Sequence, residues 1–186
     1  MTEYFDTCGK EHTEKTLKIA SSAANQLGIG EIVVATTSGE SPVQLAGIFD
    51  GKIVAVTHAH GFKKGFTSEL NSTLEEKMRR LNIDIVTGTH ALSGVERALS
   101  KKAQGMYPAE IVANTLRMFG QGTKVCVECV IMAADAGKIS GKPVVAVGGT
   151  GRGADTAMVI SPAHASNMLD LRVNEILCKP VFYKER

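Results

Sequence analysis

Residues 141–162 read GKPVVAVGGTGRGADTAMVISP, and this stretch decides the fold. A short β-rich run, residues 144–147, ends in a glycine-rich loop. The apolar stretch that follows, TAMVISP, has the character of a second strand rather than a helix. Strand, tight loop and returning strand make an antiparallel pair on the flank of whatever sheet precedes them.

Working back along the chain, residues 32–35, 53–56 and 83–86 repeat the pattern of 144–147 and are apolar throughout apart from Asp84. Runs apolar on both faces suit parallel strands buried between two helix layers. Helical patterns separate them. Thr13 is a plausible N-cap for a helix to about Leu27, with Leu17, Ala20, Ala24 and Leu27 on one face and Gly28 as the stop. Ser41 before Pro42 reads as an N-cap and first helical residue. Ser72 and Glu75 have capping-box spacing. Two longer helices are expected over 108–119 and about 123–136, and the tail from Arg172 to Tyr183 reads as extended. The expectation is one domain over 1–186: a three-layer α/β/α sandwich, mainly parallel, with an antiparallel edge strand.

The 186 residues, 44% apolar and 22% charged, are ordinary for a globular domain. A net charge of +2 supplies no general attraction for nucleic acid or an anionic membrane. No apolar run approaches the ~20 residues of a membrane span. The opening MTEYFDTCGKEH lacks a basic segment followed by an apolar one, so the expected location is cytoplasmic. In that compartment Cys8, Cys126, Cys129 and Cys178 read as thiols. Cys126-x-x-Cys129 falls inside an expected helix without the preceding strand of a redox site, and is read as core; Cys8 is expected to be exposed.

Chemistry is expected where the four parallel strands end. They run into Thr36-Thr37-Ser38-Gly39, Thr57-His58-Ala59-His60-Gly61, Thr87-Gly88-Thr89-His90 and Gly148-Gly149-Thr150-Gly151. In an open α/β sheet such carboxyl ends line one crevice. Gly39 leads into a helix start, an arrangement that favours anions, although Glu40 opposes them unless it points away. Gly149-x-Gly151-x-x-Ala154 matches a dinucleotide fingerprint, but a strand follows where that site needs a helix, so a Rossmann site is rejected. The loop can still offer N–H groups to an anion, with Arg152 adding charge, or serve as a structural hairpin. Gly137 to Pro143 lacks the spacing and hydroxyl of a P-loop. His58, His60 and His90 are weighed as metal ligands against hydrogen-bonding or stacking roles, and no metal is assigned. His90, Ser93, Glu96 and Arg97 gather at a turn and helix start, as ligand contacts or as a capping network.

Two stretches resemble the C-terminal domain of pyruvate kinase. Residues 31–58, EIVVATTSGESPVQLAGIFDGKIVAVTH, are similar to that domain's strand, Thr-x-Ser-Gly-x-Ser turn, helix and next strand. Residues 141–160, GKPVVAVGGTGRGADTAMVI, are similar to its closing strand, glycine loop and antiparallel strand. With residues 86–128 included, the chain resembles the standalone, mainly archaeal proteins of this superfamily nearly end to end. The resemblance implies no kinase activity, because the catalytic barrel is not part of the match. It implies phosphate binding at Thr36 to Ser41 and at Gly148 to Asp155. Glu40 stands where pyruvate kinases commonly carry Arg, and their loop Trp is missing, which argues against a sugar bisphosphate.

The standalone relatives are associated with FMN. That association implies a flavin in the crevice, and the resemblance to the family's last strand implies that the extended tail through Val173 to Val181 pairs two copies. The candidate contacts are Thr36, Thr37, Ser38, Gly39, Glu40, Ser41, Thr57, His58, Thr89, His90, Ser93, Gly94, Arg97, Gly148, Gly149, Thr150, Gly151, Asp155 and Thr156. His58 and His90 are the candidates for proton transfer, and Phe62, Phe66 and Tyr107 for stacking on the ring. Two other readings stand beside this one: a non-catalytic sensor of a phosphorylated metabolite, and a hydrolase or transferase acting on a phosphorylated small molecule.

Overall fold

A computed structural model of the chain describes residues 1–63 and 65–181. In chain order they form β1 (Glu3–Phe5), a 3-10 turn (Lys10–His12), α1 (Thr13–Leu27), β2 (Glu31–Ala35), α2 (Glu40–Leu45), β3 (Lys52–Thr57), α3 (Ser72–Arg80) and β4 (Asp84–Thr87). There follow α4 (Glu96–Ala103), α5 (Pro108–Arg117), α6 (Gln121–Asp135), β5 (Val144–Gly148), β6 (Thr156–Ser161), a second 3-10 turn (Ala165–Asp170) and β7 (Arg172–Pro180). Seven strands form one sheet in the order β1-β7-β6-β5-β2-β3-β4. The β5-β2-β3-β4 part is parallel, β6 is antiparallel to both its neighbours, and β1 runs parallel to β7.

Alternation explains why the strand runs are apolar on both sides. Ile32, Val34, Ala55, Val145 and Val147 belong to a core shared with Leu17, Ala20 and Ala24 of α1, Leu45 of α2 and Met78 of α3. Val33, Val54, Val56, Val144 and Ala146 point the other way, against Cys126, Val127, Val130 and Ile131 of α6. Because α5 packs on its outer side, α6 is buried around most of its circumference, Lys124 and Glu128 included. Asp84, the polar residue in the third run, sits at the start of β4 and pairs with Lys138 at 3.0 Å and Lys52 at 3.5 Å.

Several helix starts differ from expectation by one or two residues, because neighbouring polar groups compete for the same role. Thr13 is the first residue of α1 rather than its cap, and its Oγ1 accepts the Ala154 N–H at 3.0 Å. Gly39, at φ +102°, takes the cap position of α2 expected for Ser41. Asn71 caps α3 in place of Ser72, its Oδ1 accepting the Leu74 N–H at 3.1 Å. Helix α6 starts at Gln121, before Thr123. Gly28 ends α1 at φ +66°, and Pro108 opens α5, as expected.

The C-terminal edge is shorter than the extended tail implies. β1 pairs Glu3 with Cys178, Tyr4 with Lys179 and Phe5 with Pro180, which covers the end of β7. The Thr2 hydroxyl donates to the Ile176 carbonyl at 2.9 Å, so the open part of this edge is Arg172 to Glu175. Phe182 and Tyr183 lie outside the described residues. No helix among the described residues is long and apolar enough to cross a membrane.

Candidate functional site

The carboxyl ends of β2, β3 and β5, with the segment after β4, enclose a crevice of about 890 Å³. All four strand-end turns reach it. Thr36, Thr37, Ser38, Glu40 and Ser41 come from the first, Thr57 and His58 from the second, His90 from the third, and Gly149 and Gly151 from the fourth. Their order across the sheet is glycine loop, hydroxyl-rich turn, then imidazoles, following β5-β2-β3-β4.

Thr36 Oγ1 accepts the Gly39 N–H at 2.9 Å, which closes the first turn. A side chain at Gly39 would meet Leu74 Cβ at 3.0 Å and Leu70 at 3.3 Å. That glycine therefore serves close packing on α3 rather than approach of a ligand. Glu40 is paired with Lys10 at 2.9 Å, which neutralises the carboxylate that opposed an anion. At the next strand end, Thr57 and Thr87 share a hydrogen bond at 2.6 Å between their hydroxyls.

The glycine loop is held by Asp155, which is fully buried. Its Oδ2 accepts the N–H groups of Gly9 at 3.0 Å and Thr150 at 3.1 Å, and its Oδ1 accepts the Thr156 hydroxyl at 2.8 Å. Asp155 and Thr156 thus tie the loop together and do not line the crevice. Gly148 is also a packing residue, since a Cβ there would lie 2.7 Å from the Gly122 carbonyl of α6. Thr150 Oγ1 is buried with no hydrogen-bond partner among the described residues. Arg152 lines the crevice and has no ion-pair partner among them.

The imidazole end carries three rings. Phe62 stacks on His58 at 4.1 Å between centroids and on His90 at 5.0 Å, and the two imidazoles are 5.5 Å apart. The Arg97 guanidinium lies over the Phe62 ring at 5.6 Å, so it reaches the cluster through Phe62. Of the stacking candidates only Phe62 lines the crevice; Phe66 is fully exposed. Ser93 and Gly94 donate their N–H groups to the His90 carbonyl at 3.1 and 2.9 Å. With Thr89, whose methyl group packs near Gly94, they shape the turn and are not among the lining residues. His60 is exposed and does not line the crevice, and no three potential metal ligands cluster among the described residues.

Two walls of the crevice escaped sequence reasoning. Lys10, Glu11, Thr13 and Glu14 come from the N-terminal segment, and Gln121, Val125, Cys129 and Met132 from one face of α6. The first wall depends on Gly153, φ +80°, where a Cβ would lie 2.6 Å from Lys10 Cα. Nothing in the local sequence announces that contact. The second was legible as an i, i+4, i+8, i+11 stripe. Burial first, and Glu128 beside it, pushes the Cys129 thiol up to about 12, and Cys126 also lies well above its ordinary value. Both are inert core thiols, as their helical setting implied; Cys8 is half-buried rather than exposed.

The family model of the pyruvate kinase alpha/beta domain matches residues 14–160. That span runs from α1 to the end of β6 but for one residue at each boundary, and it includes all four strand ends of the crevice. By this match and by its sheet, the chain belongs to the pyruvate kinase alpha/beta domain family.

Proposed function

We propose that the crevice binds FMN and that the protein is a flavin-dependent oxidoreductase. The observation that carries this reading is the order of chemistry across adjacent strand ends: glycine loop with Arg152, hydroxyl turn, then imidazoles under Phe62. Three strand spacings of ~4.8 Å cover about 14 Å, the scale of a ligand with a phosphate, a polyol chain and a flat ring. The volume is that of a small-molecule site. Thr150 Oγ1 and His90 Nε2, both buried with no hydrogen-bond partner among the described residues, stand toward opposite ends of that order, a pattern that fits a ligand with polar groups at both ends.

In this reading the phosphate lies against the Thr36 to Ser41 turn, with Thr37 and Ser38 hydroxyls and the Arg152 guanidinium as donors. Lys10 keeps Glu40 occupied. Phe62 offers an aromatic face to the ring, and His58 and His90 hold or move a proton at its edge. Bound flavin would supply the acceptor for a hydride or electrons. A cytoplasmic setting and pairing of two copies through the open Arg172 to Glu175 edge belong to the same proposal.

The visible absorption spectrum of freshly purified protein, with mass spectrometry of what heat releases, tests it. Flavin bands and the FMN mass are expected; a colourless protein that also refuses added FMN overturns it. Arg152→Ala should weaken FMN by about 1.5 kcal/mol or more, roughly tenfold, and leave riboflavin unchanged in a fluorescence titration. Arg152, which lines the same crevice as the hydroxyl turn and has no ion-pair partner among the described residues, also favours a second reading, a sensor of a phosphorylated metabolite. Sugar phosphates that raise the melting temperature of a flavin-free protein, without turnover, would select it.

A further inference from the structure

Two imidazoles reach the crevice, and each has a carboxylate at Nδ1 with a lysine behind it. For His58 the carboxylate is Glu69, with Oε2 at 2.7 Å, and Lys63 pairs with the other oxygen. For His90 it is Glu128, with Oε2 at 3.6 Å, and Lys124 pairs with that same oxygen. The second set is buried: the Lys124 and Glu128 side chains are each 5% exposed. Glu128 Oε1 also accepts the Leu92 N–H at 3.0 Å. A buried ion pair is no better for stability than apolar residues of the same volume, so core packing alone does not account for this one.

Its geometry has a chemical consequence at His90. A distance of 3.6 Å is longer than a hydrogen bond, so Glu128 acts as a charge facing Nδ1. A hydrogen on Nδ1 is favoured there, because a lone pair in its place would face an anion. Nε2 then carries the lone pair, and Nε2 is buried with no partner among the described residues. Burial first, opposed by Glu128 and reinforced by Lys124, His58 and Arg97, holds His90 below its ordinary value, so the ring is neutral at neutral pH.

We propose that His90 is the proton-accepting residue of the crevice and that Glu128, paired with Lys124, is its positioning residue. The matching ligand carries an N–H or O–H at the edge of a flat ring. The proton passes from that donor atom to Nε2, and the donor atom keeps the bonding electron pair. The imidazolium that forms turns its Nδ1–H to Glu128. It gives the proton back to the ligand or to water. This assignment rests on the crevice being a ligand site, and the experiment separates the two.

Imidazole-nitrogen NMR of the full chain, first without ligand, reads the tautomer and titration of His90. The wild type should show a neutral Nδ1–H ring at neutral pH. Glu128→Gln should shift the population toward Nε2–H, and Glu128→Asp should restore it. If Glu128→Gln does not fold, Lys124→Gln serves instead, and there the His90 midpoint should rise. A wild-type Nε2–H ring, or a tautomer indifferent to these changes, overturns the proposal. FMN is then added. An Nε2 signal that moves on binding supports the acceptor role, and one that stays fixed overturns it. FMN that fails to bind sinks the flavin reading alone, because the tautomer is measured without it.

Discussion

Lys63-Glu69-His58 and Lys124-Glu128-His90 use the same three residue types in the same order of contact, yet they live in different media. The first sits on the segment between β3 and α3, where Lys63 is 61% exposed. In the second, Lys124 and Glu128 lie on α6, a helix buried almost all round between the sheet and α5, and face His90 of the turn after β4. Water reaches the outer set through Lys63, whereas Lys124 and Glu128, each 5% exposed, answer one another's charge away from water. The comparison teaches that layer position, rather than residue identity, decides which imidazole is solvated and which is a dry base.

The sharpest way to break the comparison is to remove one carboxylate at a time. Glu128→Leu leaves Lys124 buried and unpaired and should cost about 3–5 kcal/mol. Glu69→Leu should cost no more than about 1 kcal/mol. Urea unfolding reads both, and the double substitution Lys124→Met/Glu128→Leu should recover most of the loss. Equal costs for the two single changes would erase the distinction between the sets.

A second contrast lies in pH. Because the folded His90 resists protonation, the unfolded chain binds more protons, and stability falls as pH drops from about 6.5 toward the lower folded value. His90→Gln should remove that component. Burial alone would raise Glu69, but Lys63 and His58 outweigh it and hold the carboxyl below its ordinary value. Its contribution is therefore present above the ordinary carboxylate range and lost only as pH falls through the lowered value. Glu69→Gln should flatten the acid limb and leave the limb below 6.5 intact, which a denaturation series across pH would read.

Phe62 touches both sets, so its loss sharpens the comparison from the ligand side. Phe62→Ala should cost FMN about 1 kcal/mol, roughly fivefold, by isothermal titration. The smallest effect is that of salt. At ~1 M the screening length is ~3 Å, and the Lys63–Glu69 coupling in a double-mutant cycle should fall toward zero while that of Lys124–Glu128 persists.

The same contrast explains what could be read from the sequence. The strand runs and their polar ends are local patterns, so the sheet, the crevice and ten of the candidate contacts were legible. Lys124 and Glu128 are four residues apart, a spacing that reads as a surface ion pair; only the covering of α6 by other elements buries it. Likewise Asp155 and Thr156 look like ligand groups in a glycine loop until Gly9, from the far end of the sequence, supplies one of their partners. Strand β1 has three residues and draws its register from residues 178–180, so no local pattern marks it. Where a residue's role depended on a distant partner, the ingredients of the chemistry were local but their assignment was not.

The pairing of β1 with β7 also sets an order of events during synthesis. Residues 3–5 leave the ribosome early but cannot find their place until residues 178–180 follow. The wall built from Lys10 and Thr13 is tied instead to the glycine loop after β5, through Gly9 and Asp155. Such a long-range closure is slow by its topology. The nascent chain can assemble its central strands first; the crevice gains its N-terminal wall once the glycine loop has followed, and β1 takes its place only after β7.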